Sequence, residues 1–544
     1  MAKFTKKEKS WILYDVANSA YVMLATALLS LYFNYLSPST NISSAWGFTN
    51  VIVTIIAVFL CPVLGTYADF SKKKSIFMIF ALVGVCGCGL LSLFSLISKF
   101  AIASILFLIL YIITEVGFAS ANVFYDSMLN DITTEENMDR VSANGFAWGY
   151  ICSCIPFAFC LLAYVLGNMV PGMEWFQGPA FTVGCLITAA WWLFFTLPLL
   201  KNYEQENFMP RPEKPIKETF KRLGSIFSEF KKNRKALVFL VAFFFYIDGV
   251  HTIIKMATAL GTDLGFDQVK LVIMLFVTQF VAFPCALIFG KLASKYPCEK
   301  LLLVAISAYT AIGVFTVFLA QEWQCWILVV SVGMFQGGVQ AMSRSYFTKL
   351  VPAEKTGEFF GIYDIFGKSA AILGLGLTSL LGIFYPLSES NGFNVSLLPL
   401  PVLFAIGLII FIIAINLPTD NEKICRRKIV PYMICSLISL GLFNIFWVYL
   451  LVRNIKALQN QKTHCAREVL AFLFVPFYSL YWFYTRGEII KESFAAQGYK
   501  AKGNGFVYLL LGLLGLNLVS MAIMQDDFNA LPDSVCLLNS ASKA

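Results

Sequence analysis

Twelve apolar stretches of near-membrane length follow one another between residues 11 and 417, separated by short polar connections. They run roughly 11–36, 46–68, 75–97, 101–126, 141–166, 179–200, 237–260, 269–293, 300–320, 325–347, 359–385 and 397–417. A helix needs about 20 mainly apolar residues to cross a bilayer. In lipid every backbone polar group must be satisfied within the segment, so such a chain is held to an all-α membrane architecture. Composition agrees: 58% of the 544 residues are hydrophobic and only 13% are charged, against about 25% in a soluble domain. The net charge of +9 therefore reads as membrane topology, and nucleic acid is not an expected partner.

The basic residues set an orientation. With the N-terminus inside, the inner connections carry Lys72, Lys73 and Lys74, then Arg140, the long segment 201–236, Lys291, Lys295 and Lys300, Lys349 and Lys355, and Arg426, Arg427 and Lys428. The outer connections 37–45, 167–178, 261–268, 321–324 and 386–396 carry no Lys or Arg; Lys99 is the outside exception. This asymmetry predicts a cytoplasmic N-terminus. The first apolar run is too long for a signal-peptide core and is read as an uncleaved span. Compact loops and short termini suggest a bacterial cytoplasmic (inner) membrane.

Two of the apolar runs share a polar signature. Asp15, Asn18 and Ser19 recur 233 positions later as Asp248, His251 and Thr252. Residues three and four apart share a helix face. Further parallels follow: GTYADFSKKK (65–74) with GKLASKYPCEK (290–300), and DSMLNDITTEEN (126–137) with SYFTKLVPAEKT (345–356). Six spans repeated in parallel, with a long linker between, imply a duplicated fold around a polar interior, the layout of a transporter. The expected division is 1–200, a linker 201–236, a second half 237–420, and an additional helical membrane region 421–544. In the linker, Ile216, Phe220, Leu223, Phe227 and Phe230 recur at helical spacing among Lys and Arg, which predicts an amphipathic helix on the inner membrane face.

Several stretches carry a resemblance. LYDVANSAY, VFYDSMLNDI, DRVSANGFAWGY, FYIDGVHT, QFVAFPCALIFGKLA, QGGVQAMSRSYFTKLVP and GEFFGIYDIFGKSAAILG resemble the vacuole-effluxer-like branch of the major facilitator superfamily over about residues 10–417. Gly65, Asp69 and Lys72–Lys74 look like that superfamily's signature loop. The resemblance implies two six-helix halves, with spans one, four, seven and ten around a central path. It also implies that Asp69 pairs with a basic residue near span five, for which Arg140 is the match, and caps a helix end in one transport state. Fungal members are described as releasing amino acids from the vacuole, and membership does not fix a substrate.

Ionisable residues inside spans are expensive and mark a functional path. The substrate and coupling candidates are Asp15 and Asn18 in span one, Glu115 and Asn122 in span four, Asp248, His251 and Lys255 in span seven, and Gln336, Gln340 and Arg344 in span ten. Glu115 lies midway along its span, where a proton-coupling acid would sit. Asp69, Asp126, Arg140, Asp364 and Lys368 are gate candidates; Arg344 also sits near the inner end. Static charge pairing is the competing reading of Asp126, Arg344, Asp364 and Lys368.

No G-x-x-x-x-G-K-[ST] motif occurs, so ATP-driven transport has no support. No nucleophile, base and acid set suggests an enzyme. With two His, and 14 Cys that form no C-x-x-C, neither a metal nor a cofactor is expected. The reading is a secondary active transporter for a small polar solute, with an amino acid or related metabolite and efflux as the best guess, driven by protons. The alternative is a non-transporting sensor or scaffold that keeps the fold.

Residues 429–524 add three apolar segments, about 429–452, 468–485 and 504–524. FNIFWVYLLVRN and YSLYWFYTRGE repeat a W-x-Y followed by Arg. These read as an interfacial aromatic belt with snorkelling Arg. Basic residues flank the segments on both sides, which leaves crossing and re-entrant arrangements open.

Overall fold

The computed structural model describes residues 4–36, 42–70, 72–96, 102–169, 174–210, 212–214, 217–222, 233–263, 268–385, 393–415, 427–438, 442–459, 478–496 and 498–532, with isolated positions between them. Among these, every regular element is helical. The chain divides into two compact units, Met1–Phe411 and Ile412–Ala544.

The first unit is built from α1 (Lys6–Ala27), α2 (Ile42–Ala68), α3 (Lys73–Leu91), α4 (Ala103–Ser127), α5 (Glu135–Met169), α6 (Gln177–Asn202), α7 (Arg234–Asp263), α8 (Gln268–Leu292), α9 (Cys298–Thr316), α10 (Glu322–Leu350), α11 (Thr356–Phe384) and, as far as Phe411, α12 (Pro399–Ile415). Ten helices of the described chain are long and apolar enough to cross a membrane. α1 is not one of them: its first turn is charged (Lys6, Lys7, Glu8, Lys9), and Asp15, Asn18 and Ser19 make the rest less apolar. It ends at Leu28, and Leu29–Leu36 continues the expected first span. In α11 the described apolar part is Leu373–Gly382; the side chains of 368–372 lie outside the described residues.

Local chemistry fixes the entry to α1. Thr5 and Glu8 form a reciprocal capping box, with the Glu8 N–H donating to Thr5 Oγ1 at 3.2 Å and the Thr5 N–H to Glu8 Oε2 at 2.7 Å, which satisfies two orphan amides. Glu8 Oε1 also accepts from Thr133 Oγ1 at 2.6 Å, tying α1 to the turn after α4.

Aromatic side chains fill the first half. Tyr21 stacks on Trp192, and Tyr32 on Phe181. The halves meet where α2 packs on α11, α5 on α8, and α5 on α10. The α2–α11 approach needs glycine on both sides: a Cβ on Gly357 would stand 2.6 Å from the Gly65 carbonyl oxygen and 2.7 Å from Asp69 Oδ1. Small residues allow such close approach of helices in lipid.

Of the expected linker helix, Lys217–Arg222 is described and helical, with Phe220 exposed. Ile216, Leu223, Phe227 and Phe230 lie outside the described residues.

The second unit holds α13 (Ile429–Ile438), α14 (Leu442–Leu458), α15 (Tyr478–Ala496), α16 (Gly505–Leu513) and α17 (Asn517–Asn529). Trp447 and Trp482 of the repeated motif are both fully buried. They are core residues rather than parts of an interfacial belt, because each packs edge-on against aromatic neighbours, Trp447 on Tyr432 and Trp482 on Phe472. Arg486 is held by Glu468 at 2.8 Å.

Candidate functional site

Arg344 lies near the end of α10, on the stripe that starts with Gln336 and Gln340. Its side chain is 4% exposed. Every group that holds it comes from the other half of the bundle. Nη2 donates to Asp15 Oδ2 of α1 at 3.1 Å, and Nη1 to Asp126 Oδ1 of α4 at 3.0 Å. Nε donates to Ser142 Oγ of α5 at 3.0 Å, and Nη2 also reaches the Ser142 carbonyl at 3.1 Å. The guanidinium carbon lies over the rings of Trp11 and Phe146, 4.5 and 4.3 Å from their centroids.

The planar fork, with its donors fixed in direction, suits two carboxylates and two aromatic faces at once. Gly145 makes room for it, since an added Cβ would press on Asp15 Oδ2. One guanidinium serves two carboxyl groups here, so the cluster has one carboxyl more than it has cations.

A polar ladder leads from this cluster into the bundle. Asn18 of α1 donates to Asn122 of α4 at 3.0 Å. Tyr150 of α5 donates to Gln340 of α10 at 2.9 Å, again between halves. Deeper along α4, Glu115 Oε1 accepts from Tyr21 at 3.0 Å, and Tyr111 donates to Asn50 of α2 at 3.1 Å. Glu115 and Asp126 are eleven residues apart on one helix, about 16 Å at 1.5 Å per residue. Gln336 is buried.

A second inter-half contact closes the same end of the bundle. Asp69, fully buried after α2, accepts from the backbone N–H groups of Gly357 at 2.9 Å and Glu358 at 2.8 Å. It thus caps the first turn of α11, where orphan amides and the helix dipole favour a carboxylate. Lys73 stands 3.6 Å from both Asp69 and Asp131 and donates to Thr356 Oγ1 at 2.6 Å. Burial pushes the Asp69 carboxyl up to about 6, against the opposing pull of Lys73 and the two amides.

Arg140 takes a different place from the expected one: its guanidinium lies 4.4 Å over the Phe4 ring. Lys73 is the basic partner at Asp69, because it is one helical turn away and fully buried with it. A third inter-half pair joins Lys349 Nζ to Asp139 Oδ2 at 2.7 Å.

The duplicated signature is not used alike in the two halves. Asp15 faces Arg344 across the halves. Asp248 is fully buried within the second half, where Oδ1 accepts from the Gly374 N–H of α11 at 3.0 Å. Thr252 is buried beside it, and a Cβ on Gly374 would meet Asp248 Oδ1 at 2.8 Å. His251 and Asp364 are half-buried. Lys255 and Lys368 lie in α7 and α11, and their side chains fall outside the described residues.

Trp11, Tyr21, Asp131, Asp139, Ser142, Phe146 and Tyr150 are the participants that the sequence did not single out; Lys73 and Lys349 were read there only as basic residues of the inner connections. Ser142 and Phe146 are four apart on α5 and so share the face that meets Arg344.

The family model described as vacuole effluxer Atg22 like matches residues 29–423. The chain belongs to this family. YxiO of Bacillus subtilis (strain 168), an uncharacterized transporter of the major facilitator type, is 40% identical over 417 residues, covering 75% of this chain and 95% of YxiO. Autophagy-related protein 22 of Yarrowia lipolytica (strain CLIB 122 / E 150) is 26% identical over 278 residues, covering 44% of this chain and 45% of that protein.

Among solved structures, the major facilitator superfamily transporter FucP in the outward conformation aligns with a TM-score of 0.56 at 15% identity, over 75% of this chain and 97% of FucP. A bacterial homologue of the iron transporter ferroportin in an outward-facing state gives 0.55 at 12%, over 75% and 99%. At such identities the likeness is one of fold. This Atg22-like chain is therefore a multi-pass membrane protein with the twelve-helix major facilitator fold, and its family is one of transporters. The match ends at residue 423, just inside the second unit and before α13.

Proposed function

We propose that the chain is a secondary active transporter that moves a small polar solute by alternating access and couples that movement to protons. The observation that carries this reading is the Arg344 cluster. A guanidinium from one half is held by carboxylates, a hydroxyl, a backbone carbonyl and rings of the other. A static membrane protein gains little from this over an apolar contact of the same volume. A transporter needs a pairing that forms when the halves close and breaks when they part.

The cluster's excess carboxylate leaves one place for a proton or for a cationic group of the cargo. Glu115, about 16 Å deeper along α4, would be the second station. A zwitterion suits this polarity: its amine to Glu115, its carboxylate to Arg344 once the halves separate. An amino acid or related metabolite is the proposed cargo, and efflux the proposed direction. The halves are read as 1–200 and 237–420, joined by 201–236 and followed by 421–544. The clustering of Lys and Arg in connections on one side supports a cytoplasmic N-terminus, and the proposed location is a bacterial cytoplasmic membrane. In that orientation the contacts at Arg344 and Asp69 form the inward gate.

The test is transport by purified protein in liposomes against a panel of labelled metabolites with an imposed pH gradient. Gradient-dependent accumulation of a solute by the native protein, lost in Arg344→Gln, supports the reading. Absence of movement for every solute, with normal cell growth on Arg344→Gln, overturns it in favour of a sensor or scaffold.

A further inference from the structure

The second unit contains an apolar stretch with no charged residue from Gly505 to Met524. That length is what a membrane span requires, yet the stretch does not run straight. α16 stops at Leu513, and Gly515 takes φ +76°, a left-handed value that favours glycine. α17 then returns along α16. The two ends are fastened together: Asp527 Oδ1 accepts from the Lys502 N–H at 2.8 Å, and Asp527 Oδ2 from Tyr508 Oη at 3.2 Å. Residues 502 and 527 therefore lie side by side. A single crossing from 504 to 524 would place its ends on opposite faces of the bilayer.

The hairpin has a polarity along its axis. The base carries Lys500, Lys502, Asp526 and Asp527, with Lys502 paired to Asp526 at 2.5 Å. The tip exposes Leu513 and Leu514 by about two thirds of their surface, and Leu510 and Leu516 by nearly half. Phe506 and Val507 continue the exposed strip. The opposite face of α16 is covered by α15, where Gly487 and Gly505 approach so closely that a Cβ on Gly487 would lie 2.7 Å from Gly505 Cα. Tyr481 and Tyr484 of α15 are exposed beside it.

A protein-docking patch is ringed by polar groups. Here charge is confined to one end and leucine to the other, which is an ordering by depth. Nine residues of α16 span about 14 Å, roughly half of a 30 Å hydrocarbon core.

We propose that the α16–α17 hairpin is a re-entrant element that enters one leaflet tip first and turns back without crossing, with acyl chains covering the leucine tip. The chain on both sides of it, at Lys500 and at Ala530, stays on one face of the membrane. Tyr481 and Tyr484 then sit near the interface, where amphipathic rings settle.

The test uses the full-length chain in sealed vesicles, with its native cysteines replaced and single cysteines placed by Lys500→Cys, Ala530→Cys and Leu514→Cys. A membrane-impermeant maleimide should reach positions 500 and 530 from the same face, and labelling of both should be lost together when the reagent is confined to the other face. A fluorophore on position 514 should be quenched by doxyl-labelled lipid and shielded from aqueous iodide. Labelling of 500 and 530 from opposite faces would overturn the proposal in favour of a crossing helix. Iodide quenching at 514 without lipid quenching would overturn it in favour of a tip that faces water, and shielding from both quenchers in favour of a second protein copy. If the cysteine replacements prevent folding, epitope tags after residue 500 and after residue 544 of the native chain, read by antibody from each face, decide the first point.

Discussion

Arg344 and Asp15 meet at 3.1 Å although they are 329 positions apart, one on each half of the bundle. With Asp126 on the same guanidinium, the contact is a lock between halves and not a tie within one. Removing the cation leaves the buried Asp15 carboxylate and the partly exposed Asp126 carboxylate without their shared partner. Breaking a buried pair from one side costs roughly 3–5 kcal/mol. Arg344→Gln should therefore lower the detergent-solubilised melting temperature and abolish transport. The triple replacement separates gate from static pairing. Arg344→Leu with Asp15→Leu and Asp126→Leu should regain much of the stability, since an apolar contact can replace the cluster, yet remain unable to transport. Recovery of transport in that variant would show the cluster to be only structural.

Gly145 tests the same lock from the backbone side. A methyl group there would press on Asp15 Oδ2 and stand 3.2 Å from Arg344 Nη2. Gly145→Ala should loosen the closed arrangement by about 1–3 kcal/mol, the usual cost of overpacking. The readout is hydrogen exchange of α10 around Arg344, which should quicken. Unchanged exchange would mean that the neighbours give way without disturbing the pair.

Asp69 gives the lock a pH dependence. Its carboxyl is raised to about 6 while buried against α11, and in an opened bundle it would return toward the ordinary value near 4. The closed arrangement therefore binds the proton more tightly, and linkage makes protonation favour closure. Closure should strengthen as pH falls from about 6 to 4 and lose that contribution as pH rises through 6. The full effect is roughly 3 kcal/mol at most, the free energy of moving the carboxyl from near 4 to about 6. Hydrogen exchange of the Gly357 and Glu358 amides at several pH values, corrected for intrinsic rates, reads it directly. Asp69→Ala should remove the pH dependence and expose both amides; persistence of the dependence in that variant would assign it elsewhere.

Much of this was legible in the chain. Continuous apolar runs of about 20 residues point to twelve helices, because a membrane strand needs only about 10 residues and lipid permits no other spanning backbone. Polar spacing on α1, α4 and α10 follows from helical period alone, so Asp15, Asn18, Asn122, Gln340 and Arg344 could be placed on inward faces. Partner choice was not legible. It depends on which helices of opposite halves touch, and on glycines such as Gly145 and Gly374 that let a carboxylate approach. Asp248 illustrates this: it shares the spacing of Asp15, but Gly374 draws it into α11 inside its own half. At Asp69 the sequence offered Arg140, and Lys73 prevails because it is one turn away and buried with it. In the second unit, hydropathy over 504–524 looks like a span until Gly515 turns the chain back.

Glu115 is the residue on which coupling can be separated from gating. It accepts from Tyr21 at 3.0 Å, deep on α4 and away from the Arg344 cluster. Glu115→Gln keeps an acceptor oxygen for Tyr21 and removes the titration, so folding should be retained, with stability within about 1 kcal/mol of native, the scale of one hydrogen bond. A carboxyl that carries the coupled proton is needed for uphill movement and not for exchange. The variant should therefore lose accumulation driven by a pH gradient while still exchanging labelled for unlabelled solute across the liposome membrane. Accumulation at the native level would remove Glu115 from the coupling path and leave the excess carboxylate of Asp15 and Asp126 as the proton's station. Loss of both accumulation and exchange, with an unchanged melting temperature, would instead make Glu115 a cargo contact.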